Sequence, residues 1–371
     1  MEKIHILHVA GELNYGGTEA LLMNLLRTID REKFQFDFVE QNLEIGAHDP
    51  EIASLGGIVY HCKHISLTGI RDYRRWWREF FYAHPEYRII HGHSRGSAPI
   101  YMKEAHRAGR IVVAHCHNNS CGTGIRGAIR YLWQLPLRTL GDYNFACSYD
   151  SGVSQYGKHA NFEVIKNGII TSKFQWNPSV RRAVREKYQL GDNDFVIGNV
   201  ARFETQKNHL FLVKIFQAIH QLKPNAKLML IGTGTLESAI RESLQQMHLL
   251  DSVIFVGNRS DVYDYYQAMD AFVLPSLFEG LGIVNIEAQV SGLPCFTSDK
   301  VVAPECKVTD LVHFIPLDHS PLLWAEEILR TVDAMGARTD HSQEVRAAGF
   351  DISETAEKLC EFYRKVLKDR G

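Results

Sequence analysis

A chain of 371 residues, 45% hydrophobic and 23% charged, is too long for one ordinary core and has the composition of a soluble protein with two domains. Its formal net charge of −2 excludes a generalised nucleic-acid binder, which needs a clear basic excess to neutralise phosphates, so no nucleic-acid partner is expected. No window reaches the roughly 18–20 apolar residues of a membrane span, and the first apolar run, in MEKIHILHVAGE, is too short for a signal segment, which predicts a cytoplasmic protein. The seven scattered cysteines are odd in number, sit mostly in apolar runs such as YNFACS and LPCFTS, and include no CxxC pair, the usage of reduced, buried thiols.

In chain order, short β-branched runs alternate with amphipathic helical stretches: KIHILHVA, TEALLMNLLRTI, FQFDFVEQ, GIVYHC, RIIHGH, RIVVAHCH and YNFACS. Near-continuous apolar strands separated by helices imply a parallel sheet covered on both faces. The pattern pauses after FEVIKNGII, where TSKFQWNPSVRRAVREKY is polar and charged, and restarts as DFVIGNVA, NAKLMLIG, SVIFVG, AFVLPS and LPCFTS. The expected fold is therefore α/β, with two Rossmann-like doubly wound domains facing across a cleft. Their spans are read as 1–172, 173–352, and a final helix over 353–371 that crosses back to the N-terminal domain. Ligands of such sheets bind beyond the carboxyl ends of the strands, so motifs at those ends are the candidates.

GELNYGGTEA follows the first strand and opens the first helix; Gly16 and Gly17 permit close backbone approach, and Thr18 is a candidate cap. RDYRRWWREFFY places Tyr73, Trp76, Trp77, Phe80 and Phe81 on one helical stripe that packs on the sheet. Arg71, Arg74, Arg75 and Arg78, helped by IRGAIRYLWQLPLR, are candidates to touch anionic headgroups at the inner face of the cell membrane. HGH and AHCHN end two strands, with His93 and His117 nearest the cleft; their spacing fits no usual structural zinc pattern, and no metal is expected. CGTGIRG matches G-x-G-x-x-G in letters, but its first glycine stands away from the strand end, and Asp142 and Asp150 are poorly placed for a ribose, which keeps an NAD-dependent oxidoreductase as an alternative. DND at 192–194 reads as a turn at the wrong end of a strand for a ligand site.

The second half holds the stronger signals. In GNVARFETQKNHL, Arg202 and Lys207 follow a strand end, the pair of cations a leaving diphosphate would need. In AFVLPSLFEGLGIVNIEAQVSGLP a strand gives way to a glycine turn and a helix stopped by Gly292 and Pro294, with Glu279 before the helix and Glu287 more than a turn inside it. The amides near Gly282–Val284 suit a phosphate. The two carboxylates then mark two ends of one ligand instead of an acid/base couple.

These motifs, in this order and spacing, resemble glycosyltransferase family 4, the retaining nucleotide-sugar transferases of GT-B fold, and within it the bacterial enzymes of exopolysaccharide and capsule biosynthesis. The resemblance spans HVAGELNYGGTEALLMNLLR, VVAHCHN, VIKNGI, VARFETQKNH and FEGLGIVNIEAQVSGLP. It implies that Gly16 and Gly17 approach donor phosphates or acceptor, that His117 contacts the transferred sugar, and that Arg202 and Lys207 bind the diphosphate. It further implies that Glu279 binds sugar hydroxyls, that Gly280, Leu281, Gly282 and Ile283 offer amides to sugar and phosphate, that Glu287 grips the ribose and that Gly257 lies by the base. The implied reaction moves a sugar from a nucleotide diphosphate donor, a UDP-sugar by preference, to a lipid-linked saccharide, with the nucleotide sugar as co-substrate and no cofactor or metal. One departure is NGII, where Ile170 stands in place of the family's usual acid. A non-catalytic saccharide-binding member of an assembly complex is the remaining alternative.

Overall fold

The computed structural model describes residues 3–14, 16–66, 68–117 and 124–370, without the Arg126 side chain. Two compact units emerge: residues 1–169 with 349–371, and residues 170–348. The first is built on a parallel sheet of seven strands: β1 (Ile4–Val9), β2 (Phe34–Glu40), β3 (Val59–His61), β4 (Ile89–Gly92), β5 (Ile111–Cys116), β6 (Tyr143–Ala146) and β7 (Glu163–Val164). Their order is β3-β2-β1-β4-β5-β6-β7, so the winding reverses between β1 and β4, the place where such sheets open for a ligand.

Alternation along β1 sends Leu7 and Val9 to one face, where they join Tyr73, Trp77 and Phe81 of the Ile70–Ala83 helix. His8 faces the other side, stacked on Phe38 and tilted against Phe36. That side also receives the Ile352–Asp369 helix, whose Tyr363 meets Phe36 edge-on and which packs on the Gly17–Thr28 helix. The helix is tied in by a backbone bridge in which Ile169 N–H donates to Phe350 O at 2.8 Å and Ile352 N–H to Ile169 O at 2.9 Å. This bridge places the border between units at 169 and 349. Gly168 is required there, because a Cβ would lie 2.7 Å from Ile352 Cα.

The second unit carries six parallel strands: β8 (Phe195–Val200), β9 (Ala226–Ile231), β10 (Val253–Gly257), β11 (Ala271–Leu274), β12 (Cys295–Ser298) and β13 (Val312–Ile315), in the order β10-β9-β8-β11-β12-β13. Its reversal lies between β8 and β11, so the segments after these two strands share one end of the sheet. The core gathers Ile197, Leu228, Phe216, Ile219 and Trp324. The polar stretch after residue 170 also belongs here: it forms the Pro178–Lys187 helix, capped by Asn177, whose Arg181 pairs with Asp270 at 2.6 Å. That arginine also donates to the carbonyls of Gln267, Ala268 and Met269, which explains how a charged helix packs on the Val262–Ala268 helix.

Candidate active site

Beyond β8 the chain turns through Arg202, which is exposed, into a 3-10 turn Thr205–Lys207. Asn208, in the left-handed region at φ 57, then starts the His209–Leu222 helix, so Lys207 sits in the turn just before that helix. Beyond β11 the 276–280 loop lies against that turn: Leu277 N–H donates to Gln206 O at 2.8 Å, and the Gln206 amide to Phe278 O at 2.9 Å. This lacing brings the Lys207 ammonium onto Glu279 Oε1, which also accepts from Ser276 Oγ at 2.9 Å. Glu279 is buried and Lys207 is half-buried, so the pair is shielded from bulk water and screened little by salt.

Gly282, at φ 68, caps the Ile283–Val290 helix and has no side chain to satisfy the first-turn amides. Leu281 is buried beneath the turn, Ile283 is half-buried, and the Gly280 carbonyl is taken by Ala303 N–H at 3.3 Å. Just over one turn into that helix, Glu287 is buried and accepts from Tyr266 Oη at 2.8 Å. Removal from water disfavours its anion, and the carboxyl is pushed up to about 7, the tyrosine hydrogen bond opposing the shift. Gly257 ends β10 at φ 80 with open space where a side chain would stand.

Two features here were not singled out in the sequence. In the IGTGT segment after β9, a Cβ on Gly234 would fall 2.5–2.7 Å from the backbone of Phe203, so this glycine lets the segment brace the Arg202 turn. Phe203 N–H donates to Thr233 O at 2.9 Å, and Glu204 accepts from Thr235. Asn285, in the first turn of the Gly282-capped helix, is fully buried, and neither side-chain polar atom has a partner among the described residues. A lone asparagine in an otherwise apolar first turn was the available signal.

In the first unit the turn after β1 leads to Gly16, which caps the Gly17–Thr28 helix in extended conformation; Thr18 lies inside the first turn and does not cap. A side chain at Gly17 would meet nothing within 4 Å, so the surrounding chain does not demand a glycine. His117, just past β5, is buried and bonded through Nε2 to His93 Nδ1 at 2.8 Å. Three groupings among the described residues have the chemistry of a cation site: His93, His115 and His117; His8, His91 and His93; and Glu40, Asp49 and His61, each set with ligand atoms within 4.8 Å of one another.

The basic helix behaves differently from its charge pattern. Arg78 and Arg74 pair with the buried Glu104 at 2.7 and 3.2 Å, whereas Arg71 and Arg75 face solvent. The Gly124–Gln134 helix exposes Ile125, Ile129 and Leu132 beside Arg130. Of CGTGIRG, Cys121, Gly122 and Thr123 lie outside the described residues; β5 ends at Cys116, well before the first glycine, and Gly124 and Gly127 belong to that helix. In DND, Asp194 accepts from Gly191 N–H at 2.8 Å in a turn at the amino end of β8. The six described cysteines are all buried.

Residues 180–320 match the family described as glycosyl transferases group 1. The chain is 33% identical to the glycosyltransferase named EpsF of Bacillus subtilis (strain 168), over 96% of both proteins. It is 28% identical, over 77% of both, to an Escherichia coli UDP-Gal:alpha-D-GlcNAc-diphosphoundecaprenol alpha-1,3-galactosyltransferase. Among solved structures, Anabaena Alr3699/HepE in complex with UDP-glucose superposes with a TM-score of 0.79 at 18% identity over 97% of this chain and 99% of that one. WaaG, a glycosyltransferase involved in lipopolysaccharide biosynthesis, gives 0.74 at 16% identity over 96% and 99%. With one position in three shared with EpsF along nearly its full length, and the GT-B backbone beneath it, the chain belongs to the group 1 glycosyltransferases and is an enzyme that draws on a nucleotide sugar.

Proposed function

We propose that this glycosyltransferase moves a sugar from a UDP-sugar to a lipid-linked saccharide in extracellular or capsular polysaccharide biosynthesis, with retention at the anomeric carbon. The observation that carries the reading is the Lys207–Glu279 pair held beside the Gly282 helix start, whose amides have no side-chain cap, with Glu287 just over a turn along the same helix. An ammonium has three donors, and Glu279 occupies one, leaving others for diphosphate oxygens. Together with Arg202 and the amides at Gly282–Ile283, it stabilises the negative charge that gathers on the departing nucleotide, in a place fixed before reaction. Glu279 accepts from sugar hydroxyls and Glu287 from the ribose. In the first unit, the Gly16–Gly17 turn and His117 supply further contacts for donor or acceptor, and Gly257 leaves room for the base.

The donor and acceptor classes are supported by the names of the relatives: the Escherichia coli enzyme uses UDP-Gal and a diphosphoundecaprenol-linked sugar, and the Anabaena protein binds UDP-glucose. For a lipid-linked acceptor the exposed apolar edge of the Gly124–Gln134 helix with its Arg130, together with Arg71 and Arg75 of the Ile70–Ala83 helix, provides peripheral contact with an anionic cytoplasmic leaflet. The test is a panel of nucleotide sugars screened by thermal shift, followed by donor consumption with and without EDTA. Stabilisation by UDP-sugars and turnover that survives EDTA but is lost in Glu279→Ala and Lys207→Ala is expected. Binding of NAD with no response to any nucleotide sugar would sink the proposal.

A further inference from the structure

Five buried histidines, His8, His91, His93, His115 and His117, line one face of the first-unit sheet at the carboxyl ends of β1, β4 and β5. His8 lies level with His91, and each hydrogen bond of the group runs diagonally to the residue two further along the adjacent chain. His8 Nδ1 is 3.1 Å from His93 Nε2, and His93 Nδ1 is 2.8 Å from His117 Nε2. The same two edges meet at both steps. Beside this row, His91 Nε2 is 3.2 Å from His115 Nδ1, and His91 Nδ1 is 2.5 Å from Tyr363 Oη.

Burial holds the His8 imidazole down to about 3 and that of His117 to about 4, and pushes His93 well below the usual histidine range. At neutral pH each ring is therefore neutral, with one donor and one acceptor nitrogen. A row of neutral rings joined edge to edge has two self-consistent arrangements: every ring protonated on Nδ1, or every ring on Nε2. The ends choose between them. His8 Nε2 has no partner among the described residues, and a bare lone pair is better tolerated there than a stranded N–H. At the other end, His117 Nδ1 and Asn167 Oδ1 are both buried with no close partner among the described residues, and the Asn167 side chain draws the His117 ionisation upward against the larger effect of burial, the sense expected of an amide oxygen facing a ring N–H. Both ends select Nδ1–H.

We propose that His8 and His93 are positioning residues that lock His117 as its Nδ1–H tautomer, so that this ring presents a hydrogen-bond donor, shared with Asn167, to an oxygen of the transferred sugar. The inference rests on the reading above that His117 meets the sugar. It deepens that reading by stating the polarity of the contact: the sugar atom is an acceptor. A site built to donate discriminates against a sugar lacking that oxygen, because its N–H would then be left unpaired.

Long-range 1H–15N correlation spectra of the full chain labelled with 15N-histidine, at neutral pH, read the tautomers directly. His8, His93 and His117 should each show a protonated Nδ1 and a bare Nε2. His8→Leu should leave His117 as a mixture of tautomers and lower kcat/KM for the donor by roughly 3–10-fold, the worth of one hydrogen bond. His8→Asn, whose amide can donate from the place of Nδ1, should keep the tautomer and most of the activity. A role in packing alone gives the opposite order, since leucine suits a buried slot better than asparagine. A bare Nδ1 on His117 in the wild-type protein, an unchanged tautomer in a folded His8→Leu, or a stoichiometric transition metal on these rings by elemental analysis would overturn the proposal. Tautomers as expected with no change in kcat/KM would keep the histidine row and refute the sugar contact.

Discussion

Glu287 permits a test in which the size of the effect follows from its surroundings. Its carboxyl ionises at about 7 in the folded protein against 4.5 for the ordinary group, because it is buried and Tyr266 supplies only one hydrogen bond. Between those two values the folded state holds a proton that the unfolded state has released, so stability falls as pH rises through this window and is level above it. Each pKa unit is worth about 1.4 kcal/mol, and the window therefore spans about 3 kcal/mol. Glu287→Gln keeps the shape and the Tyr266 contact but carries no charge. Its stability relative to wild type should thus climb by about 3 kcal/mol between pH 4.5 and pH 7, then stay constant. Scanning calorimetry of both proteins across that range isolates the term, because every other titrating group is common to the two. Donor binding should move oppositely: ribose hydroxyls need the carboxylate as acceptor, so UDP affinity should weaken below pH 7 in the wild type and not in the variant. A stability difference that is flat with pH would refute the argument.

The two glutamates should separate kinetically: Glu287→Ala should mainly raise the donor KM, whereas Glu279→Ala should chiefly lower kcat, by about 10²–10³-fold if it acts with Lys207 on the developing charge, as initial-rate measurements would show. Gly168→Ala should cost about 1–3 kcal/mol by pressing a methyl against the Ile352 backbone, while Gly17→Ala, which meets nothing, should leave the melting temperature unchanged. Equal melting for both would discredit the packing account. Replacing the exposed Ile125, Ile129 and Leu132 by serine should lower binding to anionic phosphatidylglycerol vesicles on the order of 10²-fold without loss of stability, whereas Arg74→Ser should do little, its guanidinium being engaged with Glu104. Sedimentation with vesicles decides between them.

The order of strands and helices was readable because each strand is a near-continuous apolar run and each helix keeps one apolar stripe. The glutamate-bracketed segment was readable because a strand, a positive-φ glycine and a helix N-terminus leave marks at fixed spacing. What stayed hidden depends on which strands are neighbours. Lys207 follows β8 and Glu279 follows β11, and only the reversal of winding between those strands brings them together. Tyr266 reaches Glu287 from another helix, and no local pattern announces the pair or the shift in ionisation it accompanies. Alternation put His91 with His93 and His115 with His117, but the diagonal bonds that join them to His8 follow from register, which composition does not encode. The arginines of the Ile70–Ala83 helix mislead for the same reason: a single buried acid, Glu104, changes what two of them do.

The helix that closes the first unit lies beyond the whole second unit in sequence. During synthesis, residues 170–348 can complete a contiguous fold, while the first sheet waits with His8, Phe36 and Phe38 uncovered on one side. Ile352, Leu359, Tyr363 and Val366 become available only once almost all the rest of the chain has been made. The N-terminal segment is thus the later of the two to mature, against the usual order of emergence from the ribosome. A chain cut short before Gly349 would carry an apolar sheet face and a Gly17–Thr28 helix that lack the cover of the last helix, a species suited to capture by chaperones or to aggregation, even though the residues for the nucleotide diphosphate, Arg202, Lys207, Glu279 and Glu287, would all be present.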